Sequence, residues 1–590
     1  MENIEIAGVL EELGDLLEIR GSNPFRIRAY RNAVRTVRGL TRPLAAMVAE
    51  GEDLTALPAI GKDMSAHIVE LVKTGELVRL AEVSSEVPRS LVQLVKLDSV
   101  GPKKAKKLWE SLEVTSVDEL EVALKEGRVE SLEGFGAASV AKILPSIEDF
   151  RRYSGRFLIS KVDELIGPLL ERMREAPGVE RIEVAGSFRR RKETIGDVDL
   201  LVQAELPAPA VMERFTTFGS VERIVAAGDT RGSVVLRSGL EVDLRIIPGR
   251  SFGAALHYFT GSKEHNVAVR QIAQRKGLRV NEWGVFRLPE GVDPEEVGKE
   301  DGERVAGEDE DSVFDALGMG WIAPVLRENR GEVEAAVANA LPELVTLEDI
   351  QGDLHMHSTW SDGKASVDEM AKACAARGYR YLAVSDHSPA LAMVGGITSD
   401  RAPKQWDEIA RVQEGLEGIT IFKSLEVDIL GDGSLDMTDE VLEALDLVLV
   451  SVHSLMDMDR VRMTDRVLTA MQHPQVDILA HPTGRLLARR EAFQIEMEEV
   501  LQAARDLDVA VEINANPNRL DLNDVHAHRA KELGVKVGIS TDAHSVQRLD
   551  HMSYGVDQAR RAWLTKGDVL NTMTLEQFRE WLTRRDRTGP

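Results

Sequence analysis

The spacing of apolar and polar residues changes twice along the chain, and each change predicts a different architecture. Residues 1–150 combine short helical patterns with glycine and proline, which predicts a set of short helices. From about 151 to 320 the apolar residues gather in short strand-like runs such as RIEVAG and DVDLLVQA, which predicts a mixed α/β unit. After Gly352 such runs alternate with amphipathic helical patterns, which predicts a distorted α/β barrel.

A chain of 590 residues is too long for a single core, so several domains are expected. The changes of pattern predict two small helical domains, a two-part α/β region, a connector with an acidic, Ala-rich helix, and a barrel. In the same order, we place their boundaries at 1–80, 81–150, 151–247, 248–320, 321–350 and 351–590.

The composition predicts a globular protein without a membrane segment. Hydrophobic residues make up 43% and charged residues 29% of the chain, and no run of about 18 apolar residues occurs. The first twenty residues carry acidic groups where a signal peptide would need basic ones. The one cysteine, Cys374, lies in a helical pattern, so we expect a small helix filler and a reducing, cytoplasmic location.

The net charge of −26 argues against nucleic-acid binding, but the basic residues are clustered. Solvated helix faces explain most charge runs. A run of seven arginines without one acid, inside an acidic protein, instead favours a surface that faces phosphates. The clusters are Arg20, Arg26, Arg28, Arg31, Arg35, Arg38 and Arg42; Lys103, Lys104, Lys106 and Lys107; and Arg189, Arg190, Arg191 and Lys192.

One short pattern recurs three times in the helical region, as LPAIGKDMSAHI, LDSVGPKKAKKL and LEGFGAASVAKI. Each copy places a glycine before a helix start, at Gly61, Gly101 and Gly136, where backbone N–H groups can point at a phosphate. The pattern resembles the helix-hairpin-helix module, which grips the DNA backbone. The stricter form has a second glycine two residues earlier, which only Gly134 supplies.

Three aspartates in the α/β region predict a cation site. Asp197 and Asp199 alternate on one strand and so point to one face, while Asp243 lies on a second alternating strand that can pair alongside. Three such carboxylates are costly unless divalent cations hold them. A lone Asp-x-Asp is more often surface decoration. The Gly186-Ser187 turn nearby, which can hold a triphosphate, favours nucleotidyl transfer by a two-metal mechanism.

The segments GSFRRRKETIGDVDLL, VDLRIIP, YFTGS and RVNEWGVF resemble, in order and spacing, the palm and thumb of family X DNA polymerases. The resemblance implies that the three aspartates bind Mg²⁺ and that Tyr258-Phe259-Thr260-Gly261-Ser262 excludes ribonucleotides at the sugar 2′ position. It implies deoxynucleoside triphosphates and gapped or primer-template DNA as substrates. The nucleotide-binding residues that it implies are Gly186, Ser187, Arg190, Tyr258, Phe259, Gly261, Asn266 and Arg270.

This chain departs from the family pattern at several positions. Glu241 replaces a basic residue of the animal members beside the third aspartate, and Lys263 replaces an acid after the YFTGS segment. The lysine that forms a Schiff base in the family's deoxyribose-phosphate lyase corresponds to His67, which cannot form a stable imine. We therefore expect the first module to bind a 5′-phosphate through Arg26 and Tyr30 without strong lyase activity. A surface residue without a role is the alternative for His67.

Ten of the thirteen histidines follow Gly352, and they occur with acids at the ends of apolar strands. Since strand ends of an α/β barrel meet at one mouth, these side chains should form one cluster. Nine nitrogen and oxygen ligands without a thiolate suit two or three ions such as Mn²⁺ or Zn²⁺. The nine are His355, His357, Asp362, His387, Glu426, His453, His481, Asp542 and His544.

The strand-end pattern resembles the PHP (polymerase and histidinol phosphatase) domain, a distorted seven-stranded barrel with up to three metals. The resemblance implies phosphoester hydrolysis, and in bacterial family X polymerases a Mn²⁺-dependent 3′–5′ exonuclease. Arg485, four residues after a predicted ligand, is a candidate phosphate holder or a surface arginine. The remaining histidines should face solvent: His473, His526, His528 and His551.

Together the two resemblances predict a monomeric, nucleoid-associated repair enzyme that extends and trims DNA ends, in gap filling, base excision repair or end joining. Its DNA-binding residues would be Arg26, Tyr30, Gly61, Gly101, Lys103, Lys104 and Gly136. Two other enzyme classes share part of the pattern: an RNA or antibiotic nucleotidyltransferase, and a small-molecule phosphatase of the histidinol-phosphate type. A third alternative is a barrel whose metals stabilise the fold without catalysis.

Overall fold

A computed structural model describes residues 3–38, 44–95, 97, 100–130, 132, 134–136, 140, 142–144, 146–147, 150, 156–289, 298–390 and 394–584. By its contacts the chain divides into two compact units. The first comprises Met1–Val184 and Thr194–Phe252, and the second comprises Ala185–Glu193 and Gly253–Pro590. Within the described ranges, no helix has both the length and the apolar character needed to cross a membrane.

The first unit begins with a helical region that shares one core. Buried side chains from Ile6 to Ile147 form a single hydrophobic cluster. The first helix packs against the second and also against helices beyond residue 80, so the core is continuous across the boundary expected between 80 and 81. The helices are α1 (Asn3–Arg20), α2 (Pro24–Arg38), α3 (Leu44–Ala49), α4 (Lys62–Thr74), α5 (Val78–Glu86), α6 (Leu91–Val95), α7 (Pro102–Leu112) and α8 (Val117–Lys125).

The α/β part of the first unit is built on a five-stranded sheet of order β2-β4-β7-β6-β5, in which only β4 and β7 run parallel. Along β4, residues alternate between the buried core and the opposite face, as period-two patterning requires. The elements in chain order are β1 (Phe157–Leu158), α9 (Ile159–Arg174), β2 (Val179–Val184), α10 (Gly186–Arg189, counted with the second unit), β3 (Thr194–Ile195), β4 (Asp197–Ala204), α11 (Pro209–Thr216), β5 (Val221–Ala227), β6 (Arg231–Leu236) and β7 (Glu241–Ile247).

The thumb region has a core of its own, to which the expected connector contributes. Ile322, Leu326 and Val333 are buried in the same cluster as Val269 and Phe314, so residues 321–350 include a folded part of this core. The elements are α12 (Phe252–Thr260), α13 (Lys263–Arg275), β8 (Leu278–Asn281), β9 (Gly284–Arg287), β10 (Glu303–Ala306), α14 (Glu310–Ala316) and α15 (Glu332–Val337).

The C-terminal region is a nearly closed barrel of seven parallel strands in sequential order, confirming the fold predicted from the alternating pattern. A parallel bridge between Met356 and Ala543 connects the first strand to the segment after the last. Its elements are β11 (Gly352–Met356), α16 (Val367–Ala376), β12 (Tyr381–Val384), α17 (Ala402–Glu414), β13 (Thr420–Asp428), α18 (Asp439–Ala444), β14 (Leu447–Ser451), α19 (Arg460–Met471), β15 (Ile478–Leu479), α20 (Met497–Asp506), β16 (Ala510–Asn514), α21 (Asp524–Leu533), β17 (Val537–Ser540), α22 (Met552–Arg561) and α23 (Leu575–Leu582).

Alternate residues of the barrel strands enter two different cores. Leu382 and Val384 belong to the large cluster shared with the helices, whereas Tyr381 and Ala383 belong to a smaller cluster that includes α23. The rings of Tyr381 and Phe578 stack with centroids 4.9 Å apart. Both faces of each strand are therefore buried, which explains why these strands are continuous apolar runs in the sequence.

Candidate active sites

The arrangement of the three palm aspartates follows from the register of two parallel strands. β4 and β7 pair so that Asp199 stands directly opposite Asp243. Asp197 precedes Asp199 by two residues on the same strand face, and Val198 between them is buried. The three carboxylates therefore lie on one face of the sheet, as predicted.

The electrostatics of this face fit a divalent cation. Burial, with a further contribution from Asp197, raises the pKa of Asp199 to about 6, although the Arg245 charge opposes the rise. Arg231 Nη2 lies 3.1 Å from Asp243 Oδ2. Crowded carboxylates with oxygen ligands only suit a hard cation such as Mg²⁺, because the positive charge removes the cost of keeping them ionised together.

The predicted triphosphate-binding turn is a single helical turn, α10. Gly186 begins it with φ of 63°, a left-handed conformation that favours glycine. Ser187 is half-buried in the turn. The Arg190 side chain donates from Nη1 to the Thr260 carbonyl at 2.6 Å and from Nε to Glu328 at 3.1 Å.

The predicted sugar-binding segment ends helix α12. The rings of Tyr258 and Phe259 meet edge to face with centroids 5.1 Å apart. Asn266 donates from its side-chain amide to the Tyr258 carbonyl at 2.7 Å, and Arg270 Nε donates to the Asn266 carbonyl at 3.2 Å. Gly261 has φ of 65°, so glycine is favoured there too. Asn266 is thus tied to the backbone of the aromatic pair.

The nine predicted barrel ligands lie together at the carboxyl ends of the strands. Eight of them form three overlapping groups in which all ligand atoms lie within 4.8 Å of one another, and His357 and His387 each belong to two groups. The Nε2 atom of the ninth, His481, lies 2.7 Å from Glu426 Oε1. The groups are His357, Asp362, His387 and His544; His355, His357 and Asp542; and His387, Glu426 and His453.

The distances inside this rim are those of side chains that share cations. The Nε2 atoms of His355 and His357 are 3.2 Å apart, and His357 Nε2 is 3.2 Å from Asp542 Oδ1. His387 Nδ1 lies 2.9 Å from Glu426 Oε2. Such an alternation of imidazole nitrogen and carboxylate oxygen matches the ligand preference of Zn²⁺ and Mn²⁺.

The protonation states of His357 and Glu426 fit metal binding, whereas at His387 the neighbouring carboxylates, Glu426 foremost, outweigh burial and raise the pKa to about 9. Burial and the neighbouring histidines His387 and His544 lower the pKa of His357 to about 3, so its imidazole is neutral. Burial would raise the pKa of Glu426, but the surrounding imidazoles outweigh it and hold the pKa well below its usual range. His357 Nδ1 is buried without a hydrogen-bond partner. A neutral imidazole, an ionised carboxylate and an orphaned nitrogen are what a cation requires of its ligands.

Two side chains around the rim were not anticipated from the sequence. Glu512 on β16 lies 2.7 Å from His355 Nδ1 and accepts from the His481 backbone N–H at 2.7 Å. Asn514 donates to Glu512 and to Asp542, each at 3.2 Å. Glu512 lies two residues before the end of the apolar strand in VAVEIN, as Glu426 does on β13, so the same rule could have identified Glu512.

Some barrel side chains differ from expectation. Arg485, a candidate phosphate holder or a surface arginine, is largely buried and its Nη2 donates to Glu193 at 2.5 Å, so the surface alternative was wrong. A different arginine, Arg519, approaches the rim, with Nε 3.6 Å from Asp542 Oδ2. The four histidines expected to face solvent are each half-buried, because the helices or turns that carry them pack on the barrel: His473, His526, His528 and His551.

Two of the three hairpin glycines begin long helices. Gly61 and Gly101 are the N-cap residues of α4 and α7, and neither helix has a side-chain cap, so the first N–H groups have no side-chain acceptor there. Gly136 is exposed. Lys103 is also exposed, whereas Lys104 Nζ lies 5.1 Å from the centroid of the Phe135 ring. Residues 98, 99, 133, 137–139 and 141 of the repeats lie outside the described residues.

The candidate 5′-phosphate pocket differs from expectation. Arg26 is exposed, but Tyr30 is buried at 5% exposure, and its hydroxyl lies 3.2 Å from His67 Nδ1. The two rings are nearly parallel, with centroids 5.9 Å apart. His67 therefore packs on Tyr30, and the role of Tyr30 in binding a 5′-phosphate stays a prediction. Arg42 and the side chains of Arg35 and Arg38 lie outside the described residues.

Comparison with known proteins covers nearly the whole chain. Family models match a helix-hairpin-helix domain at residues 1–77, a SAM-like helix-hairpin-helix tandem at 92–149, the DNA polymerase beta thumb at 255–328 and the PHP domain at 353–516. The DNA polymerase/3′-5′ exonuclease PolX of Bacillus subtilis (strain 168) is 37% identical over 99% of this chain and 100% of its own length.

Other relatives match one part of the chain each. A probable phosphatase of Thermoanaerobacter sp. (strain X514) is 28% identical over 40% of this chain and 95% of its own length. DNA polymerase lambda of Rattus norvegicus is 24% identical over 55% of this chain and 56% of its own length. The two halves of the chain thus resemble two separate kinds of protein.

Proposed function

The chain belongs to the bacterial family X DNA polymerases that carry a PHP exonuclease domain, and we propose a role for each of its two ligand sets. The enzyme is a DNA-directed DNA polymerase and 3′–5′ exonuclease that acts on DNA and deoxynucleoside triphosphates with divalent metals. One observation carries the proposal: the carboxylates of β4 and β7 and the rim of the barrel are two sets of side chains of the types that bind cations, on different sheets.

In the polymerase reaction, Asp197, Asp199 and Asp243 would hold two Mg²⁺ ions. When bound, these ions activate the primer 3′-hydroxyl and stabilise the pyrophosphate that leaves. Ser187 and Arg190 would hold the triphosphate, with Gly186 allowing the close turn. The aromatic pair before Gly261 would close the sugar pocket against a 2′-hydroxyl, and Asn266 and Arg270 would face the nascent base pair and the template.

In the exonuclease reaction, the nine rim side chains would hold up to three Mn²⁺ or Zn²⁺ ions. The bound ions supply an activated water and neutralise the phosphate oxygens of the substrate. The protein's own contribution is orientation. Glu512 engages Nδ1 of His355, which leaves Nε2 to face the rim, and Asn514 links Glu512 to Asp542.

We propose gapped DNA as the substrate, within base excision repair, with end joining as a second pathway. The paired activities support this, because trimming a damaged 3′ end allows extension to resume. Similarity of the barrel to probable phosphatases supports removal of 3′-phosphates as well. Because its substrate would be chromosomal DNA, we propose that the enzyme lies in the cytoplasm with the nucleoid. We also propose that it is a monomer.

We propose that lyase activity is weak. His67 is half-buried against Tyr30, and burial lowers the pKa of its imidazole. An imidazole cannot form the stable imine that the amine of a lysine forms, so the Schiff-base step has no nucleophile at this position. The experiment is borohydride trapping on a substrate with a 5′-deoxyribose phosphate. We expect no covalent adduct, and efficient trapping would overturn the proposal.

The two ligand sets can be tested by substitution in one assay. Primer extension and primer degradation are measured with Mg²⁺ and with Mn²⁺ for Asp199→Ala and His355→Ala. Asp199→Ala should lose extension and keep degradation, and His355→Ala should do the reverse, so each variant is the folding control for the other. Loss of both activities in either variant would contradict separate sites. Turnover of histidinol phosphate comparable to that of DNA ends would favour the small-molecule phosphatase instead.

A further inference from the structure

The triphosphate-binding turn is held by the C-terminal half of the chain. In sequence, residues 185–193 lie between two strands of the palm, β2 and β3. By contacts they are counted with residues 253–590. The charged side chains of this turn show the reason, since each makes an ion pair with a residue of the thumb region or the barrel.

The first half of the turn is bound by the thumb region. Arg189 makes a two-armed ion pair with Glu310, with both N–O distances 2.8 Å. Arg190 reaches the Thr260 carbonyl and Glu328. Both arginines are mostly buried by these contacts, at 18% and 12% side-chain exposure.

The second half of the turn is bound by one helix of the PHP barrel, α22. Asp557 of this helix accepts from Arg191 Nε at 2.6 Å, and Gln558 donates to Glu193 at 2.8 Å. Arg561 donates from Nη1 to the backbone carbonyl of Arg190 at 2.6 Å. The three helix residues are at i, i+1 and i+4, so they form one patch that faces the turn.

Arg561 is the centre of this contact. Its side chain is 3% exposed, and its Nη2 is held by Asp524 at 2.7 Å. Its Nη1 also donates to Glu328 Oε1 at 3.1 Å, the oxygen that accepts from Arg190 Nε. One guanidinium thus fixes the backbone of Arg190 directly and its side chain through a shared carboxylate, which its rigid fork of donors allows.

The charge balance supports a fixed geometry. Burial would raise the pKa of Glu328, but the charges of Arg561, Arg190 and Lys192 outweigh it, and the pKa is below its usual range. Glu328 therefore stays ionised between two arginines. Without Arg561, Glu328 would have Arg190 as its closest cation and would compete with a triphosphate for it.

We propose that Arg561 of the PHP barrel is a positioning residue for nucleotide binding by the polymerase. It presets Arg190 for the triphosphate, so a helix of the exonuclease domain determines the affinity of the polymerase for deoxynucleotides. This inference rests on the proposed role of Arg190. Small displacements of a binding group reduce its contribution strongly, so the contact should affect KM more than kcat.

The test is single-nucleotide incorporation by the full-length enzyme, with KM for the nucleotide and kcat measured separately. Arg561→Gln should raise KM by about tenfold, the effect of losing one hydrogen bond to a charged group, with a smaller change in kcat. Exonuclease activity should be retained, whereas Tm should fall, because Asp524 and Glu328 lose a buried cation. The matched control is Arg560→Gln, since Arg560 on the same helix donates to the Val345 carbonyl and does not contact the turn.

Two further variants separate this inference from the proposed function. Arg190→Gln should raise KM, and Arg190→Gln combined with Arg561→Gln should raise it no further, because Arg561 acts through Arg190. If Arg190→Gln raises KM while Arg561→Gln does not, the positioning role is wrong and the proposed function stands. If Arg190→Gln leaves KM unchanged, the proposed role of Arg190 fails.

A substitution that unfolds the barrel would not decide the question, so a milder variant is included. Asp557 is 24% exposed and forms an ion pair with Arg191 at the edge of the same patch. Asp557→Asn should fold and raise KM by a smaller factor than Arg561→Gln, and Arg561→Lys should restore part of the affinity. An unchanged KM in Asp557→Asn and Arg561→Lys, with Tm retained, would overturn the proposal.

Discussion

Glu512 shows how a side chain outside the ligand set can govern the metal centre. It is fully buried and has contacts with His355 Nδ1, the His481 backbone and Asn514. A carboxylate in this position selects the tautomer of the histidine and holds its ring. The orientation of His355 at the rim therefore depends on an acid that follows it by 157 residues in the chain.

Replacing Glu512 by glutamine should damage the exonuclease and spare the polymerase. We expect a loss of about 10–100-fold in exonuclease rate or metal affinity, as for other partners of ligating histidines. The measurements are primer degradation over a Mn²⁺ titration, and metal content after gel filtration. Extension by the same preparation reports whether the rest of the chain is intact.

The matched control is Glu499→Gln, since Glu499 is an exposed acid on helix α20 of the same barrel. It should leave both activities unchanged. A Glu512→Gln enzyme with normal degradation at limiting Mn²⁺ would show that His355 is oriented without its help.

Single residues also mark where the sequence ceases to be informative. Tyr30 was expected to bind a 5′-phosphate together with Arg26, yet its ring is buried against His67. Arg485 was a candidate phosphate holder or a surface arginine from its spacing after His481, yet its partner is Glu193, 292 residues away. A side chain that can reach in several directions takes the one that the tertiary structure offers, and spacing along the chain does not contain that information.

Elements were predicted more reliably than single contacts. The strand-end rule predicted a cluster, and eight of the nine predicted residues lie in three close groups, because a parallel barrel leaves little freedom in where a strand terminates. The parallel pairing that places Asp199 opposite Asp243 likewise follows from two alternating strands with one buried face. The connector at 321–350 was harder, since burial of Ile322 and Leu326 depends on a thumb core distant in sequence.

At the level of elements, the start of α7 should be a contact for the DNA backbone. Gly101 caps this helix with φ of −81°, which any residue can adopt, and a Cβ there would meet no atom within 4 Å. Gly101→Ala should therefore fold normally but hinder a phosphate that approaches the first N–H groups. We expect Kd for gapped DNA to rise by about tenfold with Tm unchanged, measured by fluorescence anisotropy at fixed salt.

Gly167→Ala is the control for this substitution, because Gly167 lies within α9 and a Cβ there also meets no atom within 4 Å. Its Kd should equal that of the unmodified enzyme. An equal Kd for Gly101→Ala would mean that this hairpin does not approach DNA closely.

At the scale of the whole molecule, an acidic net charge is compatible with DNA binding when part of that charge serves another purpose. Part of the net charge of −26 belongs to carboxylates that lie around the two proposed cation sites. Glu426 and Asp542 are almost fully buried, and so many charges in one place are tolerated only with compensating imidazoles or metal ions. Metals should therefore contribute to the stability of the folded barrel as well as to catalysis.

Removal of metal should consequently lower the melting temperature of the barrel. An ion present at a hundred times its Kd stabilises the folded state by about 2.7 kcal/mol, which for a domain of this size corresponds to about 5–10 °C. Calorimetry with EDTA and with Mn²⁺ should show that difference for the unmodified chain and much less of it for His355→Ala, since His355 belongs to one of the three ligand groups. Asp199→Ala should keep the shift of the barrel transition, because Asp199 belongs to the palm sheet.

If His355→Ala kept the full shift while its exonuclease was lost, the stabilising ions would be held elsewhere. If instead it lost both the shift and the folded barrel, the rim would be a structural element first, and its catalytic role would need separate proof.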